Sequence, residues 1–159
     1  MALFGLLRPQ TVSDPILGVL TRSRRYWRCR VSLDAQHDVP LLIAGGRKRP
    51  DDQAVALGRE VPSRYLALQG AIGAALFEHY LPYREAIDAG ETYQPDVRLA
   101  DASEVWPNTT PVHIVVAPLD GRLSVEIGYR TRWDIEHTLG AILVDWQLVE
   151  LNGSVLGLT

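Results

Sequence analysis

The chain has 159 residues, 47% of them hydrophobic, and a formal net charge of −3. This size and composition suit one domain with its own core and exclude wholesale disorder. No apolar run approaches the length that spans a bilayer, and the single cysteine, Cys29, excludes an intramolecular disulfide. The apolar start lacks the features of a signal peptide, so we expect a cytoplasmic protein that does not bind membranes.

Charge is distributed unevenly along the chain. Residues 1–49 hold nine Arg and Lys against three Asp and Glu, whereas residues 50–159 hold seven against sixteen. The two parts therefore attract each other in the fold, or the first part presents a basic face to an acidic partner.

The first 49 residues predict a lead-in followed by three strands. Residues 1–13 form the lead-in, with one short helical turn, and residues 16–20 are rich in the branched apolar side chains typical of a strand. In residues 26–33 apolar side chains alternate with Arg28, Arg30 and Ser32, which indicates a half-buried strand. VPLLIAGG supplies the third strand, and the three are expected to form an antiparallel meander.

A helical block follows. Pro50 and the two aspartates after it predict a helix start, and the pattern continues to about Ala89. Pro62 interrupts it, so we expect two helices or one kinked helix, and Pro82 kinks or ends the second part. One face of that part is expected to pack on a sheet, because apolar and aromatic residues recur there every three or four positions: Tyr65, Leu68, Ile72, Leu76, His79 and Tyr83.

The remainder predicts a long loop and then strands. Residues 91–109 form the longest irregular stretch, with one short helix near 101–106, and its length is compatible with a binding loop. Four strands follow, beginning near residues 111, 122, 140 and 147. Strands grouped on both sides of a helical block predict a single α+β domain over residues 1–159, in the order β-β-β-α-α-β-β-β-β. Its sheet would be mostly antiparallel, with six or seven strands and the helical block on one face.

The stretch RWDIEHTLG, residues 132–140, holds the most chemically suggestive group. Asp134, Glu136 and His137 could together bind a divalent metal or share a proton in acid–base catalysis, with Glu126 or His113 in support. The spacing matches no known metal signature. The interpretation we favour is a structural corner, in which Asp134 caps the turn and Trp133 plugs the edge of the core. No cofactor is predicted.

Basic residues crowd the first hairpin and are interleaved with Tyr26 and Trp27. Arginine with aromatic side chains can bind single-stranded nucleic acid, but a pI of about 5.8 argues against that role and favours an acidic protein partner. AGGRKRP, residues 44–50, has the layout of an anion-binding loop, yet the proline and the following aspartates weigh against it. The partner-binding candidates are Arg22, Arg24, Arg25, Arg28 and Arg30.

The C-terminal third resembles small uncharacterised bacterial α+β domains that end in W-D-x-E-H-x-L-G and V-E-L-N-G-S-V. The resemblance implies no established activity, although some relatives are similar to immunity or accessory proteins encoded near bacterial toxins. Thr138 departs from the pattern, because glycine is expected there. The matching positions are Trp133, Asp134, Glu136, His137, Leu139, Gly140, Glu150, Asn152, Gly153 and Ser154.

The leading functional prediction is a non-enzymatic protein-binding module of the bacterial cytoplasm, of the immunity or accessory type. Its surface would combine the hairpin of residues 22–30, the loop of residues 91–109 and the loop of residues 134–137. One alternative is a metal-dependent or acid–base enzyme that uses Asp134, Glu136 and His137. A second alternative is nucleic-acid binding through the arginine hairpin. The sequence leaves the oligomeric state open.

Overall fold

A computed structural model describes residues 9–91 and 96–155, which form one eight-stranded sheet, one long helix and one 3₁₀ helix. The strands lie in the sheet in the order in which they occur in the chain. The elements are β1 Thr11–Asp14, β2 Gly18–Ser23, β3 Tyr26–Ser32, β4 Asp38–Ala44, α1 Asp52–Asp88, the 3₁₀ helix Ala102–Asn108, β5 Thr109–Leu119, β6 Arg122–Thr131, β7 Thr138–Val144 and β8 Gln147–Val155.

Every neighbouring pair of strands is antiparallel except β4 and β5, which run parallel. A parallel pair needs a long crossover, and α1 with the 3₁₀ helix supplies it. The predicted α+β class, the mostly antiparallel sheet and the short helix near residue 102 are confirmed. The sheet has eight strands where six or seven were expected, because the segment before β2 adds one.

The start of the chain differs from the prediction. Residues 11–13 were assigned to a lead-in with a helical turn, but they belong to β1 and pair with β2. Ile16 and Leu17 lie in the connecting turn instead of in a strand, because the Asp14 carboxylate accepts hydrogen bonds from both backbone amides, at 2.9 and 2.8 Å. Such an aspartate turn overrides strand propensity locally. The predicted part of the lead-in before residue 9 lies outside the described residues.

Asp14 also ties β1 to α1. Its side chain is 6% exposed and accepts hydrogen bonds from the Arg59 guanidinium, with Nε of Arg59 3.1 Å from Oδ2. The arginine, helped by the backbone amides of the turn, lowers the pKa of Asp14 from 3.8 to about 2.

Asp14→Asn is expected to lower the free energy of unfolding at neutral pH. A carboxyl group with a lowered folded-state pKa stabilises the fold above about pH 4, and this contribution is lost as the pH falls toward 2. The stability difference between wild type and variant should therefore shrink over that range in urea titrations at several pH values. Asp38→Asn, which breaks an exposed ion pair with Arg30, should show little difference at any pH. An equal loss of stability in the two variants, with the same pH dependence, would contradict this account of Asp14.

Helix α1 is continuous through both of its prolines. Two helices or one kinked helix were expected at Pro62, and the structure has one helix, although the proline removes one amide donor at a cost of about 3 kcal/mol. The flanking residues Val61 and Tyr65 are buried in the core, and this burial favours the continuous helix. The Ser63 hydroxyl donates to the Glu60 carbonyl at 2.8 Å, which satisfies one backbone acceptor near the interruption.

The two faces of the sheet differ. The helix-side face carries the core residues, among them Leu41, Ile43, Ile114 and Ile127, and α1 covers it with a buried row that ends at Tyr80. The Tyr80 hydroxyl accepts from the Leu99 amide at 3.0 Å and donates to the Val97 carbonyl at 3.1 Å, which anchors the segment after the helix. The opposite face, called the open face below, carries the alternate residues of each strand.

Candidate functional site

The RWDIEHTLG stretch joins β6 to β7 and packs against the C-terminal half of α1. Trp133 is buried and meets Tyr80 edge to face, with ring centroids 5.7 Å apart. Thr138 begins β7 without a left-handed backbone, so the position needs no glycine despite the departure from the family pattern. Residues 133–137, with the α1 side chains that contact them, are called the corner below.

Asp134 is the centre of the corner. Its side chain is 5% exposed, and Oδ1 accepts from the His137 backbone amide at 3.2 Å and from His137 Nδ1 at 2.8 Å. Tyr83 of α1 also hydrogen-bonds to the carboxylate. The aspartate therefore caps the turn and joins it to the helix, which is the arrangement expected of a structural corner.

His79 completes the corner from the helix. The indole N–H of Trp133 donates to Nδ1 of His79 at 3.2 Å. An indole nitrogen can only donate, so the proton of the neutral imidazole lies on Nε2, which is 3.8 Å from Oδ2 of Asp134. The predicted helix face ran through His79, but Tyr80 takes the buried position and His79 lies half-buried at its edge.

The charges in the corner follow from these contacts. Burial lowers the pKa of His79 and outweighs the attraction of Asp134, which favours the neutral imidazole. For Asp134, burial raises the pKa, but the hydrogen bonds from His137 and Tyr83 outweigh it and the net direction is down. The corner thus holds an ionised carboxylate surrounded by donors.

Glu136 stands apart from Asp134 and His137. Its side chain is exposed, and within residues 9–91 and 96–155 it has no hydrogen bond or ion pair. Across the same residues, no group of three or more His, Cys, Asp or Glu side chains is placed to hold a metal ion. The three residues named from the sequence therefore do not converge on one point.

A cleft of about 490 Å³ lies beside the corner, between the corner and the end of α1. Its walls combine aromatic and apolar groups with the corner's polar residues. Ile135 contributes a 69% exposed side chain at the rim. The lining residues are Pro82, Tyr83, Trp133, Asp134, Ile135, Glu136 and His137.

His113 and Glu126, the two residues considered as support for a catalytic set, lie on the open face. Nε2 of His113 is 3.5 Å from Oε1 of Glu126, the outer limit of a hydrogen bond. Because Asp134 contacts α1 on the other side of the sheet, the structure assembles two separate polar groups and not one catalytic set.

Two paired glycines make room for this histidine and glutamate. Gly128 of β6 pairs with His113 on one side and with Gly140 of β7 on the other. A Cβ at Gly128 would lie 2.3 Å from Cε1 of His113, and one at Gly140 would lie 3.1 Å from the Glu126 carboxyl carbon. The imidazole and the carboxylate therefore lie close on the sheet backbone. Only the long-range register reveals this arrangement, which is why the sequence did not predict it.

The five arginines proposed as a binding surface are dispersed. Arg22 stacks on Trp27 on the helix-side face, with its guanidinium carbon 5.8 Å from the ring centroid. Arg28 and Arg30 project from the open face, where Arg30 pairs with Asp38 at 2.6 Å. Only Arg24 and Arg25 lie in the turn between β2 and β3.

That turn adjoins the loop between β4 and α1. Tyr26 pairs with Ala44, and Trp27 Nε1 donates to the Gly46 carbonyl at 3.1 Å, which ties the loop to the hairpin. The loop brings further cations beside the turn. We call this the basic end of the sheet; it consists of Arg24, Arg25, Arg47, Lys48 and Arg49.

The loop is not an anion site at the start of the helix. Asp51 is the N-cap of α1, and its carboxylate accepts from the Ala54 amide at 2.9 Å. A carboxylate therefore occupies the position that a bound anion would take. A cavity of about 790 Å³ lies between this loop and the turn after β5, with Arg47, Lys48 and Arg122 on its wall.

Cys29 lies on β3 and is half-buried. Burial raises the pKa of its thiol to about 11, so the thiolate is scarce at neutral pH.

These features define an α+β domain with a single eight-stranded sheet, a hydrogen-bonded corner and a basic end. The chain belongs to the family described as Domain of unknown function (DUF6985), whose model matches residues 17–156. This confirms the prediction of an uncharacterised domain family. Comparison with curated proteins and with solved structures finds no match. Within the part of the chain that the structure describes, no helix is long and apolar enough to cross a membrane.

Proposed function

We propose that this domain is a non-enzymatic protein-binding module, of the immunity or accessory type, and that its basic end docks on an acidic partner. The main support for the proposal is that two basic segments, separated in sequence, lie side by side in the fold. The turn at Arg24 and Arg25 and the loop at Arg47 and Lys48 are held together by strand pairing and by the Trp27 hydrogen bond.

Four of these cations are available to a partner. Arg24, Arg25, Arg47 and Lys48 are exposed, and none of them forms an ion pair with a described residue. Arg49, by contrast, pairs with Asp52. Clustered, uncompensated positive charge accelerates encounter with an acidic surface and selects against basic partners.

The corner supports binding more than catalysis. The Asp134 side chain is 5% exposed, and its carboxylate accepts from His137 and Tyr83, so most of its acceptor capacity is used within the fold. A general base needs a free lone pair within reach of substrate. The corner instead fixes the connection between β6 and β7 and holds Ile135 and Glu136 outward, where they can contact a partner.

The test compares two triple variants that remove the same charge. Arg24→Gln, Arg47→Gln and Lys48→Gln together remove three of the four available charges of the basic end. Arg30→Gln, Arg64→Gln and Arg98→Gln together neutralise three exposed arginines that are already ion-paired elsewhere. Each protein is used to capture partners from a lysate of the source organism, and mass spectrometry identifies what binds.

We expect wild type and the second triple variant to capture the same acidic protein, and the first to lose it. Binding should also weaken as salt rises toward about 0.15 M, because exposed charges are screened there. Capture that is unchanged in the first triple variant would contradict the proposal. Recovery of a nucleic acid instead of a protein would favour the arginine hairpin as a nucleic-acid site.

A further inference from the structure

The open face of the sheet is concave. Tyr26 of β3 and Val155 of β8 line the same cavity, although five strand spacings separate their strands. In a flat sheet that separation would be about 24 Å, since neighbouring strands lie about 4.8 Å apart. Strong curvature therefore folds the open face around a cavity of about 360 Å³.

Among the described residues that line this cavity, Glu126 is the only charged one. Its side chain is 24% exposed, and its one polar contact among the described residues is His113 at 3.5 Å. No Lys or Arg of the described chain forms an ion pair with it. A partly buried carboxylate with unused acceptor positions is stabilised by a cation that donates hydrogen bonds to it.

The rest of the cavity wall fits an apolar stem with a polar head. Val115, Ala117, Ile142 and Val155 supply apolar surface, and Asn152 and Ser154 lie beside it. Oδ1 of the Asn152 side chain already accepts from the Ser154 backbone amide at 3.1 Å. The carboxylate of Glu126 is therefore the main hydrogen-bond acceptor that the cavity wall offers to a ligand.

We propose that this cavity, with Glu126 in its wall, binds an ammonium or guanidinium group carried on an aliphatic stem. Gly128 and Gly140 let the imidazole of His113 and the carboxylate of Glu126 lie close to the backbone. The group comes either from a free amine or from a basic side chain of another protein, and the chemistry of recognition is the same.

Two probes separate these sources. Agmatine carries a guanidinium and a free amine on a four-carbon stem, whereas an arginine blocked at both ends mimics a side chain in a peptide. Each is titrated into the labelled protein while the amide resonances of Gly128 and Gly140 are followed by NMR. Binding of either probe with shifts at both glycines supports the site. Agmatine alone indicates a free amine as the ligand, and blocked arginine alone indicates a protein side chain.

Glu126→Gln keeps the shape of the side chain and removes its charge, so affinity should fall at least about tenfold. Glu150→Gln is the matched control. Glu150 lies on the same face, across Ile142 from Glu126, but outside the cavity lining. It should bind like wild type. Ala117→Leu narrows the cavity without removing the carboxylate and should also weaken binding, and thermal melts confirm that each variant is folded.

The proposal would be overturned by no binding of either probe at millimolar concentration, by equal affinity in wild type and Glu126→Gln, or by equal binding of a neutral alcohol of the same length. Tight binding of Zn²⁺ through His113 and Glu126, with neither probe bound, would also overturn it.

Discussion

Replacing Gly128 with alanine should destabilise the protein by about 3 kcal/mol, because the new methyl group would occupy the space of the His113 ring. The nearest ring atoms, Cε1 and Nε2, would lie 2.3 and 2.4 Å from the added Cβ. The histidine is buried on β5 and Gly128 is fixed by pairing to both β5 and β7, so the strands must separate or the ring must leave its place. Urea denaturation gives the free energy of unfolding.

A double-mutant cycle with His113→Ala isolates this cause. Without the ring the alanine at position 128 has room, so Gly128→Ala should cost far less in the His113→Ala background than in wild type. An equal cost in both backgrounds would show that the glycine is needed for some reason other than its contact with His113.

Asp134→Asn should cost about 2–4 kcal/mol at neutral pH, because it removes the buried charge that the corner's donors surround. The His137 imidazole and the Tyr83 hydroxyl would each face an amide of which only the oxygen accepts. Glu136→Gln is the matched control, since it removes an exposed charge two residues away and should change the stability by less than about 0.5 kcal/mol. Chemical denaturation of the three proteins measures the difference.

The contribution of Asp134 to the free energy of unfolding should decrease as the pH falls. Its folded-state pKa is lowered, so its contribution to stability is present above the unfolded value near 3.9 and is lost as the pH falls through the lower folded value. The difference in the free energy of unfolding between wild type and Asp134→Asn should therefore be constant from pH 7 to about 5 and then decrease at lower pH. An increase in this difference below pH 4 would show that the carboxylate is not stabilised by its neighbours.

The sequence predicted the elements whose signals are local. The alternation in residues 26–33 placed β3, and Pro50 with the aspartates after it placed the start of α1 at Asp52. The cap at Asp134 was also predicted, because a short polar turn with aspartate at its start satisfies its own backbone.

Features that depend on tertiary contacts were missed or misjudged. β1 is four residues long and gains its place from pairing with β2 and from the bond between Asp14 and Arg59, 45 positions apart. The continuity of α1 through Pro62 depends on burial against the sheet, which outweighs local propensity.

The site residues likewise divide into those related by local spacing and those brought together by tertiary contacts. Asp134 and His137 could be paired from their spacing, but the contribution of His79 required the packing of α1 on the corner. Four further residues become neighbours only through the pairing of β5, β6, β7 and β8: His113, Gly128, Gly140 and Asn152. No pattern within one segment distinguishes these glycines from those that occur in ordinary turns.

We infer that recognition resides in the basic end, while the corner has a structural role. The affinity of the captured partner is therefore measured for wild type, for the triple variant of Arg24, Arg47 and Lys48, and for Asp134→Asn, at a temperature where all three are folded. We predict that the triple variant loses at least about tenfold in affinity and that Asp134→Asn binds like wild type. Loss of binding in folded Asp134→Asn, with the triple variant unaffected, would contradict the account.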